Sequence, residues 1–198
     1  MMYSVGVDEV GRGPIAGPVV VCACAVLKNT NLLYLFPKNE LKDSKKLSEK
    51  NREKIRESLG VLQKEKKILW GIGEVSALRI DEIGISLAIK EAMNNALLQL
   101  EEQGITTAVK VVLDGSLYAP DRYSNQSTHV RGDETYIEIS LASIVAKVYR
   151  DTLMKKLGEY FVGYGFEHHA GYGTKAHYEA IKFLGMTEYH RKSFLKRV

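Results

Sequence analysis

The chain has 198 residues, 45% hydrophobic and 26% charged, with 28 Lys and Arg against 24 Asp and Glu for a formal charge of +4. That length and balance fit one soluble globular domain with a substantial core, or such a domain carrying a helical appendage, and exclude a disordered chain. The longest apolar run, Val19 to Leu27, is about half of what a membrane-crossing helix needs, and no basic stretch precedes a cleavable apolar one, so no membrane association and a cytoplasmic location are expected.

Tyr3 to Asp8 and Val19 to Leu27 read as two strands. The glycine-rich stretch between them makes them antiparallel neighbours, and Pro14 and Pro18 confine that turn. Cys22 and Cys24 stand two apart in the second strand, on one face and badly placed to bridge each other, and are read as core. Ser48 is a candidate N-cap for an amphipathic helix to about Leu62, with Ile55, Leu59 and Leu62 on its apolar side. Lys67 to Glu74 reads as a third strand. Ile85 to Leu100 keeps helical period, with Gly104 just beyond, as a crossover helix.

Ala108 to Leu113 is short and nearly all apolar, the pattern of a strand buried on both faces, and it opens at its carboxyl end onto Asp114-Gly115. Ser127 to Val130 is a fifth strand candidate, followed by Arg131-Gly132-Asp133. Ile139 to Leu157 reads as a long helix, and Thr174 can cap a last one to about Leu184, with Gly185 as its terminator. There are no repeats or flexible linkers, so a division into residues 1–163 and a helical annex over 164–198 is approximate.

The acids Asp8-Glu9, Asp114 and Asp133 each follow a strand or strand-like run. If the first and fourth strands are neighbours, Asp8 and Asp114 lie side by side and four carboxylates share one sheet edge. Carboxylates that close raise one another's pKa values unless cations hold them together, and oxygen-only ligands select hard ions such as Mg²⁺ or Mn²⁺. Two such ions clamp the attacking and leaving oxygens of a displacement at phosphorus. Basic residues cluster at Lys42, Lys45, Lys46, Lys50, Arg52 and Lys54 and again at Arg191, Lys192, Lys196 and Arg197, which suits either a polyanion surface or solvated helix faces.

Several blocks, in order along nearly the whole chain, resemble bacterial ribonuclease HII. They are Val7-Asp8-Glu9-Val10-Gly11-Arg12-Gly13-Pro14 with Ala16-Gly17-Pro18, Asp43-Ser44-Lys45-Lys46-Leu47, Leu113-Asp114-Gly115, Gly132-Asp133, Ala142-Ser143-Ile144-Val145-Ala146-Lys147-Val148-Tyr149-Arg150-Asp151, Gly171-Tyr172-Gly173-Thr174-Lys175 and His190-Arg191-Lys192-Ser193-Phe194. The first and fifth are highly specific. The resemblance implies an α/β, RNase H-like fold: a five-stranded mixed sheet of order 3-2-1-4-5 flanked by helices, with a C-terminal helical extension. It implies endonucleolytic cleavage of RNA in RNA/DNA hybrids, and cleavage on the 5′ side of a single ribonucleotide in duplex DNA, leaving 3′-hydroxyl and 5′-phosphate ends.

On the same resemblance, Asp8, Glu9, Asp114 and Asp133 are the catalytic acids and the ligands of a two-ion Mg²⁺ or Mn²⁺ site. Gly11, Arg12, Gly13 and Tyr172 read the ribose 2′-hydroxyl, with Lys45 and Lys46 as candidate phosphate contacts. A 2′-hydroxyl reader needs backbone brought close, which glycine allows. Arg150 and Asp151 are read as packing or ion-pairing residues, and His168, His169, His177 and His190 receive no catalytic role. Arg131, Leu141 and Lys192 depart from the commonest family wording without removing an acid. The expected partners are RNA/DNA hybrids and ribonucleotide-containing duplexes, bound by a monomer. A junction-resolvase type of nuclease would share the acids, and an inactive nucleic-acid-binding module stays open as a third reading.

Overall fold

The computed structural model describes residues 2–36 and 47–195. Its strands are β1 (Tyr3–Val10), β2 (Val19–Leu27), β3 (Ile68–Val75), β4 (Lys110–Asp114) and β5 (Gln126–His129), and its helices are α1 (Glu49–Lys64), α2 (Ala77–Ile83), α3 (Ile85–Glu102), α4 (Ile137–Tyr160), α5 (Phe166–His169) and α6 (Lys175–Leu184). The strands form one sheet in the order β3-β2-β1-β4-β5. β2 is antiparallel to both of its neighbours, whereas β1, β4 and β5 run parallel. This is the mixed sheet and order expected from the sequence.

The alternation of β2 explains the layering. Val19, Val21, Ala23 and Ala25 pack on α3, and Val20, Cys22, Cys24 and Val26 pack on α1 and α4. A strand covered on both faces has no polar side, which is why it reads as one apolar run. Cys22 and Cys24 are free and buried, as expected. Close approach of the helices depends on missing side chains. A Cβ on Gly6 would lie 2.1 Å from the backbone of Glu138 at the start of α4, and one on Gly73 would lie 1.8 Å from the Ala92 carbonyl of α3.

The structure moves several boundaries. β1 runs on to Val10, past the expected end at Asp8, so Glu9 is a strand residue too. β5 begins one residue early, at Gln126, and Val130 falls outside it, 84% exposed. The Gln126 amide is tied to Ala119 and to the Tyr123 carbonyl, so a polar residue anchors the start of the strand. α4 starts earlier, behind Tyr136, which makes no side-chain cap and leaves no start signal. α2 and α5 span seven and four residues, too short to show a helical period. Ser48 and Thr174 cap α1 and α6 as expected.

A third core joins Ile15 and Ala16 of the glycine-rich turn and Met154 and Leu157 of α4 to Tyr164, Phe166, Ile181 and Leu195. The C-terminal helices thereby pack against the turn that follows β1. Among the described residues, no helix is long and apolar enough to cross a membrane.

Candidate active site

Asp8 is fixed from three sides. Pairing with Cys22 places it in the ladder, and strand alternation turns it with Gly6 toward α4. Its Oδ1 accepts the Glu9 N–H at 2.8 Å, and Ser143 of α4 stands close enough to its carboxylate to favour the charged form. Burial pushes its carboxyl from the usual 3.8 up to about 8, opposed by Ser143 and reinforced by the charges of Glu9 and Asp114. Glu9 points to the other face. Burial raises its pKa as well, Arg12 lowers it from Nη1 at 3.8 Å, and Asp114 raises it.

The parallel pairing of Val7 with Leu113 carries the last residue of β4, Asp114, alongside Asp8. Asp114 Oδ1 accepts the Gly132 N–H at 2.7 Å, tying down the 3₁₀ turn Gly132–Glu134, which is entered through Arg131 at φ 56°. Asp133, in that turn, is fully buried. Asp8, Glu9 and Asp114 thus feel one another electrostatically, and the Gly132 bond brings Asp133 to the same sheet edge. Among the described residues, no three acid, histidine or cysteine side chains stand close enough together to ligate one ion. The donor set is nevertheless all carboxylate oxygen, and burial, reinforced by the charges of Glu9 and Asp114, raises the Asp8 carboxyl to about 8, a penalty that a hard divalent cation would offset.

Gly11, Arg12 and Gly13 follow directly from β1. Gly11 has φ 88°, and a Cβ there would lie 2.4 Å from Arg150 Nε, so both conformation and space require glycine. Arg191 donates to the carbonyls of Gly11 at 2.7 Å, Arg12 at 3.2 Å and Gly17 at 2.9 Å. These peptides are trans, so the N–H groups of Arg12 and Gly13 point away from Arg191, toward the exposed side of the turn. Arg150 donates to Pro18, Ala16 and Ala170. Ile15 and Ala16 N–H groups both donate to the Gly171 carbonyl. Across this seam the Tyr172 ring lies 3.8 Å from the position of a Cβ on Gly13, and its side is 49% exposed. The turn and Tyr172, 159 residues apart in sequence at Gly13, form one surface beside the acids.

Not every expectation holds. Arg191 is no polyanion contact; it is fully buried, its fork spent on backbone carbonyls. Arg52 turns to the Leu47 carbonyl and lies 3.8 Å from Asp151. Lys42, Lys45, Lys46, Lys196 and Arg197 lie outside the described residues, as does Asp43. Ser143, Arg150 and Arg191 sit in blocks the sequence brought forward, but nothing in their spacing tells that one orients Asp8 and two hold the glycine turn.

The family model for ribonuclease HII matches residues 5–197. A ribonuclease HII of Bacillus anthracis is 46% identical over 195 residues, spanning 98% of this chain and 69% of its own. One from Bacillus cereus strain Q1 is 44% identical over 194 residues, again 98% of this chain and 69% of the relative. Among solved structures, the PCNA:RNase HII complex from Archaeoglobus fulgidus matches with a TM-score of 0.75 at 26% identity, over 100% of this chain and 96% of that one. Bst-RNase HIII in complex with Mn²⁺ shares the fold at a TM-score of 0.72 and 17% identity, over 98% of this chain and 67% of that one. A family match over residues 5–197, with relatives at 44–46% identity over 98% of the chain, makes this chain a member of the ribonuclease HII family and a ribonuclease H.

Proposed function

We propose that the chain cleaves the RNA strand of RNA/DNA hybrids and the bond 5′ to a single ribonucleotide in duplex DNA, leaving 3′-hydroxyl and 5′-phosphate ends, with Mg²⁺ or Mn²⁺. The observation that carries this reading is the continuity of β1: the strand that holds Asp8 and Glu9 runs straight into the glycine turn that meets Tyr172. Chemistry and ribose recognition are thereby one element apart.

Asp8, Glu9, Asp114 and Asp133 are the residues that would hold the cations. When bound, hard divalent ions polarise the phosphate and activate water at neutral pH. The chain's own part is to set the carboxylates in place: Ser143 keeps Asp8 oriented, and the Gly132 N–H keeps Asp114 oriented. The outward N–H groups of Arg12 and Gly13 suit the oxygen of a 2′-hydroxyl, which is both donor and acceptor. Tyr172 offers a hydroxyl and a flat ring to the sugar of the next, deoxy, nucleotide, where a further hydroxyl would clash. The ribose hydroxyl is read and not used as nucleophile. The Mn²⁺ in Bst-RNase HIII supports the metal assignment by fold.

Mapping the cleaved bond on a duplex with one ribonucleotide, with Mg²⁺ and Mn²⁺ compared, tests the reading. The expected product pair is 3′-hydroxyl and 5′-phosphate at the 5′ side of the ribonucleotide. A 2′,3′-cyclic phosphate, or preferred cutting of an all-DNA branched substrate, overturns it.

A further inference from the structure

We infer that His190 and Arg191 together form a positioning element that sets both halves of the ribose-reading surface, Arg191 acting on Gly11 to Gly13 and His190 acting on Tyr172 through His177. The inference rests on the proposed function of that surface.

The segment is locked onto the turn. Ala16 and His190 form a β-bridge, Gly17 donates to the Tyr189 carbonyl, and Arg191 N–H donates to the Ile15 carbonyl. On its far side Asp81 accepts from the N–H groups of Lys192 at 2.8 Å and Ser193 at 2.9 Å. From this seat Arg191 turns the carbonyls of Gly11 and Arg12 inward, which turns the next two N–H groups outward.

The histidine arm is equally directional. Thr187 N–H donates to His190 Nδ1 at 2.9 Å, so in the neutral ring the proton sits on Nε2. That Nε2 lies 3.1 Å from His177 Nε2, which must then accept, leaving His177 Nδ1–H to donate to the Tyr172 carbonyl at 2.9 Å. Each bond fixes the tautomer of the next ring. A proton added to either ring would set N–H against N–H. His169, stacked on His177 at 4.3 Å, is fixed likewise: Gly171 N–H donates to its Nδ1, and its Nε2 meets the Tyr164 carbonyl. Burial lowers the pKa of His177 and takes that of His190 down to about 4, in keeping with neutral rings.

Packing alone is a poor account of these residues. Arg191 and His177 are fully buried without a carboxylate on either, and burial together with Arg150 brings the Arg191 guanidinium down to about 9. A buried cation held only by carbonyls costs desolvation that an apolar residue would avoid, so its directional bonds are what it contributes.

The test compares two duplexes, each with one ribonucleotide, in which the next nucleotide is either deoxy or 2′-O-methyl. The junction ratio is kcat/KM on the first over kcat/KM on the second. His177→Asn keeps a donor at the Nδ1 position and should hold the wild-type ratio within about threefold, whereas His177→Leu should lower it by about tenfold, and Arg191→Lys should lower by about tenfold the preference for ribose over a 2′-O-methyl sugar at the ribonucleotide itself, the scale expected of a slight misplacement. Loss of rate with the junction ratio and the ribose preference both unchanged in all three variants makes these packing residues and overturns the inference alone. A wild-type chain that cuts the deoxy and 2′-O-methyl duplexes alike overturns the reading of Tyr172 as a sensor of the next sugar, and the histidine arm of the inference with it. Should His177→Leu or Arg191→Lys fail to fold, long-range ¹H–¹⁵N spectra of the wild type decide: Nδ1–H on His177 with Nε2–H on His190 supports the relay, and any other pair of tautomers overturns it.

Discussion

Asp8 shows what the site demands of a single residue. Its native pKa of about 8 stands above the ordinary 3.8, so between those values the native state binds a proton that the unfolded chain has released. The sign follows: the contribution of Asp8 to metal-free stability is greatest below about pH 4 and declines as pH rises toward 8. Asp8→Asn removes that penalty. In chelator at pH 7.5 the variant should be more stable than the wild type in denaturant melts, by up to about 5 kcal/mol, with the gain vanishing near pH 4. Added Mg²⁺ or Mn²⁺ should stabilise only the wild type appreciably. A variant less stable at both pH values would contradict this account. Asp114 differs, because Oδ1 also holds the Gly132 N–H. Asn keeps that acceptor and loses the charge, so Asp114→Asn should melt like the wild type yet lose at least about 10²-fold in kcat. Normal turnover of that variant with Mg²⁺ would remove Asp114 from the site.

At the scale of elements, two glycines set how close the helices come, and they serve different ends. Gly6 admits the first turn of α4 onto β1, and α4 carries Ser143 to Asp8. Gly73 admits α3 onto β3, away from the acids. Each Gly→Ala change forces a Cβ into backbone, at a cost of about 1–3 kcal/mol or more. Gly6→Ala should also lower kcat in the surviving folded protein, while Gly73→Ala should leave kcat per folded molecule near wild type. Melting curves paired with active-site-normalised rates check both. The helices with strong periods or caps, α1, α3 and α6, were legible in the sequence. α2 and α5 were not, being held by a local cap and by tertiary packing, and β5 was displaced because its anchor is the polar Gln126.

At the scale of the whole molecule, the third core makes the C-terminal residues part of the site's frame. Ile15 and Ala16 share it with Tyr164, Phe166 and Ile181, and the turn they belong to is the one that reads the ribose in our proposal. A chain shortened to residues 1–163 should therefore lose more than an appendage: Ile15, Ala16, Met154 and Leu157 would be uncovered, Arg150 would lose the Ala170 carbonyl, and the carbonyls of Gly11, Arg12 and Gly17 would lose Arg191. Loss of cooperative unfolding and of ribonucleotide cleavage is expected, and a shortened chain with wild-type melting and rates would show 164–198 to be a separable unit. The layered sheet was readable from the chain because apolar period is a local property of sequence. The strand order came from family resemblance, since which strands become neighbours depends on contacts that periodicity does not record.

The sequence by itself determined which residue types exist to do the work: the paired acids after the first apolar run, the glycines behind them, Asp114 at the end of a buried run, and the tyrosine between two glycines. Tertiary structure alone decided their relations. Parallel pairing of β1 with β4 put Asp8 beside Asp114, and burial among like charges then moved Asp8 up to about 8. It also turned Arg191 from an apparent surface charge into the support of the glycine turn, and joined His190, His177 and Tyr172 by directional bonds. Electrostatic and hydrogen-bond energies depend on distance in space and on the water excluded around each group, and neither quantity is written in the order of residues along a chain.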